Sequence, residues 1–139
     1  MNKPILEIKI DVKEGGTRIN TKRGEVSIVP FGGTVKSELF NGIVEPWGID
    51  RQVLDHSGLR HLSARYMLTG KDKEGNDCHI YIENNGHIEN VPSLTFKSVP
   101  TFYTDSPVLA DYLHYDRFYG TGTVDENHQL WIRFYEVEE

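Results

Sequence analysis

Arg65 and Asp50 are the side chains whose type and setting best suit chemistry on a small molecule. Arg65 lies in residues 60–89 (RHLSARYMLTGKDKEGNDCHIYIENNGHIE), which read as two β-strands joined by a polar loop. In the first strand Leu62, Ala64, Tyr66 and Leu68 alternate with His61, Ser63, Arg65, Met67 and Thr69. In the second, Cys78, Ile80 and Ile82 alternate with His79, Tyr81 and Glu83. Such alternation marks a half-buried strand. Apolar must face apolar, because a slip of one residue turns a whole strand over. Leu68 is therefore expected opposite Ile80, and Tyr66 opposite Ile82. The other face then sets Arg65 against Glu83 and Met67 against Tyr81.

A guanidinium binds carboxylate or phosphate through a planar fork. If the Arg65 face lines an enclosed lumen, Arg65, Ser63, Tyr81 and Glu83 line it together. Asp50 and Lys97 then join from other strands, and Trp47 helps to wall the pocket. Asp50 would orient the guanidinium or act as a base. The ligand expected there is a small organic acid. The opposite packing leaves these residues as solvated charges around an apolar lumen, and alternation alone leaves both arrangements open.

Other chemistries find less support. The six histidines (His56, His61, His79, His87, His114 and His128) show no ligand spacing of a zinc site. His61 and His87 come opposite each other in the expected register, as a chance pair, so no metal is expected. There is one cysteine, Cys78, on an apolar strand face, where it reads as a small buried hydrophobe rather than a nucleophile. Phosphate-loop, nucleophile-elbow and dinucleotide motifs are absent from the sequence, and no cofactor is expected. Gly32-Gly33 and Gly120-x-Gly122 read as bulges or close strand contacts.

These side chains need a sheet to position them. The 139 residues fit a single domain, 1–139, with 37% hydrophobic and 11% aromatic residues. The net charge of −6 and the scattered lysines and arginines argue against nucleic acid and anionic membranes as partners. Charges interleave with the aliphatics of residues 1–12, and no run approaches the ~20 apolar residues of a spanning helix, so a cytoplasmic protein is expected.

Along the chain, Leu6, Ile8, Ile10 and Val12 alternate with charges, and Gly15-Gly16 ends that strand. Residues 17–23 read as a short strand or a loop. A strand through Val26, Ile28 and Val29 is closed by Pro30. Ile43 and Val44 lead into a bulge or bend at residues 45–48, which throws Trp47 aside. Asn84-Asn85-Gly86 reads as a turn, and Pro92-Ser93 as a break. Residues 94–104 are extended, with Leu94, Phe96, Ser98, Pro100 and Phe102 on one side. A short helix is predicted at 107–114, with Ser106 as cap, Pro107 at the first position and Asp105 near the dipole. Strands follow at 115–123 and 130–137, the last apolar on both faces and so expected to be central or covered on both sides. About eight to ten short strands with frequent turns predict an all-β domain, a single antiparallel β-barrel with one short helix.

Several motifs then occur in a telling order: Gly42-x-x-x-Pro46-Trp47-Gly48-Ile49-Asp50, Ala64-Arg65-Tyr66, Gly75 with Ile80, Asn84-Asn85-Gly86, Phe96-Lys97, Phe102, Leu113-His114, Gly120 and Tyr135-Glu136-Val137. The ordered set resembles the domain-of-unknown-function family 3237, also known as uncharacterised protein family 0311, over nearly the whole chain. The resemblance implies a small β-barrel with no established activity, and both Asp50 and Arg65 match its pattern. The function expected is a small-molecule-binding barrel, of the isomerase or cyclase type if it is an enzyme, acting on an organic acid. The alternative is a non-catalytic structural or interaction module, a homodimer joined through a sheet edge.

Overall fold

The computed structural model describes residues 3–88 and 96–138. The strands are β1 (Leu6–Val12), β2 (Thr17–Thr21), β3 (Gly24–Lys36), β4 (Phe40–Leu54), β5 (Arg60–Asp72), β6 (Asp77–Ile88), β7 (Phe96–Thr104), β8 (Phe118–Val124) and β9 (Leu130–Glu136), with a one-turn helix α1 (Ala110–Leu113) between β7 and β8. All neighbours run antiparallel in the order β1-β9-β8-β7-β6-β5-β4-β3, and β1 pairs with β3 to close the ring. The result is a closed eight-stranded antiparallel barrel with β2 as an extra strand on β3.

The register expected for residues 60–89 is the one found: Leu68 opposes Ile80, Tyr66 opposes Ile82, Arg65 opposes Glu83 and Met67 opposes Tyr81. His61 also opposes His87. Other expectations need correction. Asn84-Asn85-Gly86 is no turn; it continues β6, opposite Ala64, Ser63 and Leu62 on one side and Pro100, Val99 and Ser98 on the other. Pairing on both flanks outweighs the local turn preference of those residues. The predicted break at Pro92-Ser93, with Leu94, lies outside the described residues.

Pro30 does not end its strand either. Its carbonyl accepts from Lys13 N at 2.9 Å, in the gap where β1 has stopped and β2 has not begun. A missing N–H is tolerated at such a gap. The register then shifts between Phe31 and Gly33. A side chain at Gly33 would meet the Lys9 carbonyl at 2.3 Å, so the glycine allows the close approach of β1. A second shift falls between Val44 and Ile49, at the expected bulge, and Trp47 there is 65% exposed.

One end of the barrel is packed solid. Phe40, Leu68, Ile80, Phe102, Leu113 and Phe134 are fully or almost fully buried there, and Phe102 meets Phe134 edge-on at 5.2 Å. The helical segment covers this end. Its helix is shorter than predicted, because residues 107–109 form turns and the helix begins only at Ala110; Asp116 then takes a left-handed conformation (φ 58°) before β8. The N-cap position is Leu109, with no side-chain cap; Ser106, expected as the cap, instead holds the turn ahead of the helix, accepting from Leu109 N at 3.3 Å. Its hydroxyl also donates to the buried Asp72 carboxylate at 2.8 Å, and Asp72 accepts from Glu74 N and Asn76 N in the β5–β6 turn. One carboxylate thus ties the turn to the helical cover. Asp105 serves His79 rather than the helix, accepting from its backbone N at 2.7 Å and pairing with its Nδ1 at 2.8 Å.

β9 is a central strand, paired with β1 and β8, and its outer face is half-buried rather than covered. Arg133 lies over the Trp131 ring at 5.0 Å and donates to Glu7 at 2.7 Å, and Tyr119 stacks on Tyr135.

The packed end predicts a large truncation cost. Phe134→Ala should lower stability by about 3–5 kcal/mol in urea denaturation. Ile132→Ala, on the same strand but beside open space, should cost less, because its lumen side already lacks partner atoms.

Candidate functional site

The opposite half of the barrel is hollow. It encloses a cavity of about 370 Å³, within the roughly 300–1,000 Å³ of small-molecule sites. Most of its wall is apolar, formed by Ile10 and Val12 of β1, Phe31 of β3, Leu62 and Ala64 of β5, and Leu130 and Ile132 of β9. Strand alternation turns the apolar side of each of these strands inward.

The polar groups of the wall come from β4 to β7. Asp50, Ala64, Asn84 and Pro100 stand opposite one another in a row across four strands. Asp50 and Asn84 are thus two strand spacings apart, about 10 Å at the backbone. Only the methyl of Ala64 stands between them on the β5 side. Gln52 donates through Nε2 to Asp50 Oδ2 at 2.8 Å, and Arg60 donates to Gln52 Oε1 at 3.1 Å. Arg60, Gln52 and Asp50 therefore form a hydrogen-bonded chain along the wall.

Three other lining residues each carry a buried polar atom, with almost no accessible surface, that has no hydrogen-bond partner among the described residues: Tyr66 Oη, Asn84 Oδ1 and Ser98 Oγ. Native proteins leave few such atoms. A side chain at Gly120 would strike Ser98 Oγ at 2.6 Å and the Phe134 ring at 2.9 Å, so this glycine lets Ser98 and Phe134 pack closely against β8.

Burial pushes the Asp50 carboxyl above its ordinary value of 3.8; the Gln52 hydrogen bond and the charges of Arg51 and Arg60 oppose that shift. Burial raises the Tyr66 hydroxyl far above its ordinary range, and the nearby Asp50 charge adds to the effect.

Of the residues expected in the pocket, Asp50 alone lines the cavity. The supposition that the Arg65 face is the lumen is corrected, because the Tyr66 face occupies it. The Arg65 side chain is 62% exposed and pairs with Glu83 at 3.6 Å on the outer wall. Tyr81 donates to Glu83 from the same outer side, at 3.1 Å. Lys97 is exposed over the Tyr119 ring, and Trp47 projects from the bulge. Ser63 shares Arg65's side of its strand but is buried between neighbouring strands. Closure explains the outcome, since the apolar set of β5 has nowhere to be buried but inside.

Gln52, Arg60, Tyr66, Asn84 and Ser98 were not expected in a polar site. Asn84 was hidden by its turn-like neighbours. Tyr66, on the apolar side of β5, reads as core. Arg60 is legible in retrospect, because it shares the even-numbered side of β5 with Leu62, Ala64 and Tyr66.

On the outer wall His79, held by Asp105, sits in a shallow groove with Glu45, Met67, Tyr81, Tyr103 and His114. The His79 imidazole is raised above its ordinary value, chiefly by its hydrogen bond to Asp105. Among the described residues no three His, Cys, Asp or Glu side chains come together as a metal ion would require. Cys78 is buried, and burial pushes its thiol up. No described helix is long and apolar enough to cross a membrane.

The model of a family described as a protein of unknown function (DUF3237) matches residues 2–97. A UPF0311 protein of Clostridium acetobutylicum is 32% identical, over 82% of this chain and 78% of its own. A crystal structure of a protein of unknown function from the same organism superposes with a TM-score of 0.80 at 28% identity, covering 99% of both chains. The same fold, at a TM-score of 0.66 and 13% identity, occurs in an enzyme from Penicillium herquei, covering 99% of this chain and 94% of that one.

The environment of Asp50 predicts a pH-dependent stability difference. A carboxyl raised in the folded state destabilises the fold when ionised, and this cost vanishes once both states are protonated. Asp50→Asn should therefore melt higher than the parent at pH 7. The gain should shrink as pH falls through the raised value and be gone below the ordinary 3.8. Thermal melts across that range check it.

Proposed function

The chain belongs to the DUF3237 family, and we propose that it binds a small, largely apolar molecule in the hollow half of its barrel. The observation that carries this reading is the set of buried, unpartnered polar atoms of Tyr66, Asn84 and Ser98, three residues that line an otherwise apolar cavity. A ligand that supplies hydrogen bonds to them removes the penalty of leaving them unpaired, about 1–3 kcal/mol for each. The apolar remainder of the wall supplies affinity, and the few polar groups fix orientation. Closed barrels of about eight strands are wide enough to hold one such ligand.

The lone carboxylate of the described wall suits a reaction of the isomerase or cyclase type, in which a proton and a bond are relocated within one molecule. An organic acid was expected on the strength of Arg65. With Arg65 outside, that ground for an acid falls away.

A second reading rests on β2. All of its residues are exposed, and Ile19 is 52% exposed on a strand that pairs with β3. Such an edge can add a strand from a second copy. A homodimer of this kind should dissociate on Ile19→Lys, as read by analytical ultracentrifugation. A parent that sediments as a monomer sinks this second reading.

The cavity reading predicts that Ala64→Phe, which fills the space between Asp50 and Asn84, leaves the circular dichroism spectrum native but removes ligand binding. A bound compound at 100 times its dissociation constant should stabilise the parent by about 2.7 kcal/mol, and the variant by nothing. A thermal-shift screen of neutral and acidic compounds of up to two rings provides the measurement. If no compound shifts the parent, the reading fails.

A further inference from the structure

We infer that Asp50 and Tyr66 make the cavity a proton-transfer site for an uncharged carbonyl compound. The inference rests on the ligand-binding reading above and adds the chemistry and the substrate class. Asp50 pairs with Ala64, and Tyr66 lies two residues further along the same face of β5. The two side chains are diagonal neighbours, about 7–8 Å apart at the backbone, and both line the same void. A molecule between them meets a carboxylate on one side and a hydroxyl on the other.

The two groups are differently prepared. Gln52 holds Asp50 Oδ2, and Arg60 holds Gln52, so the carboxylate is fixed in orientation. The apolar wall raises its proton affinity, which improves a carboxylate as a base near neutral pH. Tyr66 is 4% exposed and its hydroxyl has no partner among the described residues. A phenol buried in this way, with its own proton tightly held, is a hydrogen-bond donor waiting for an oxygen acceptor.

The chemistry follows. The Asp50 carboxylate removes a proton from the carbon beside the carbonyl. That C–H bond breaks, an O–H bond forms on Asp50, and the electron pair moves onto the carbonyl oxygen. The Tyr66 hydroxyl, still protonated, stabilises the resulting enolate by a hydrogen bond, as donors aimed at developing charge do. Asp50 then returns the proton to another position of the same conjugated system. The product is an isomer, no electrons are gained or lost, and no second reactant is needed.

The substrate is uncharged because a ligand carboxylate would share this largely apolar cavity with Asp50, and like charges there repel. Arg60, the cation found among the described lining residues, is already turned onto Gln52. Asn84 Oδ1 and Ser98 Oγ remain for a hydroxyl elsewhere on the molecule.

The test uses the full chain with 2-tetralone, an uncharged two-ring ketone, in D2O. Proton NMR follows loss of the signals next to the carbonyl, and saturation-transfer NMR reports binding independently. The parent should bind the ketone and accelerate exchange over buffer. Asp50→Asn should bind it and lose about 100-fold or more of that acceleration. Tyr66→Phe should lose on the order of 100-fold. The carboxylate 2-naphthoate should bind more weakly than the ketone. Binding without acceleration, or Asp50→Asn exchanging as fast as the parent, overturns the proton-transfer inference and leaves the ligand-binding reading in place. Tighter binding of 2-naphthoate overturns the substrate class. If the ketone does not bind the parent, the inference falls together with the reading beneath it.

Discussion

Closure of the ladder through β1 governs everything else in this molecule. Its backbone hydrogen-bonds to β9 on one side and to β3 on the other. A sheet closed in this way has an inside, and each strand must send alternate residues into it. The amount of side chain sent inward at each level then decides whether that level is filled or empty. Toward the helical cover it is filled by phenylalanine, leucine and isoleucine. Toward the other end the inward positions hold Ala64, Asn84, Ser98 and Asp50 among the aliphatics, and a void remains.

The two halves obey different physics. The packed half depends on dispersion and apolar burial, with ring pairs at 5.2–5.4 Å and one buried carboxylate joining the β5–β6 turn to the cover. The hollow half forgoes part of that stabilisation and keeps polar atoms unpaired. Proteins commonly place such costs at sites that bind. The outer wall carries the remaining charge in surface pairs such as Arg65 with Glu83 and Lys71 with Asp77, which contribute little to stability.

Much of the architecture was legible because period-two alternation is strong in β1, β5 and β6. The pairing of Leu68 with Ile80 and of Tyr66 with Ile82 followed from it residue by residue. What alternation could not convey was the direction of curvature. An open sheet can bury either face against something else, and a charged cluster such as Arg65, Tyr81 and Glu83 then looks like a site. Once the ring closes, the apolar face of β5 is the inner one, and the cluster is left in solvent. Asp50 was legible by its place in the Pro46–Asp50 run that resembles the family pattern, whereas Asn84 was masked. Its local sequence favours a turn, and only pairing with two neighbouring strands, a long-range fact, holds it extended.

Separation of the filled and empty ends also bears on how such a barrel can diversify. The residues that keep the chain folded lie mostly at one end, and those that shape the void at the other. Exchanges around Ala64, Asn84 and Ser98 can redraw the outline offered to a guest while leaving the phenylalanine cluster untouched. A scaffold partitioned like this is suited to acquiring new specificities by small steps, each of which leaves a foldable protein behind.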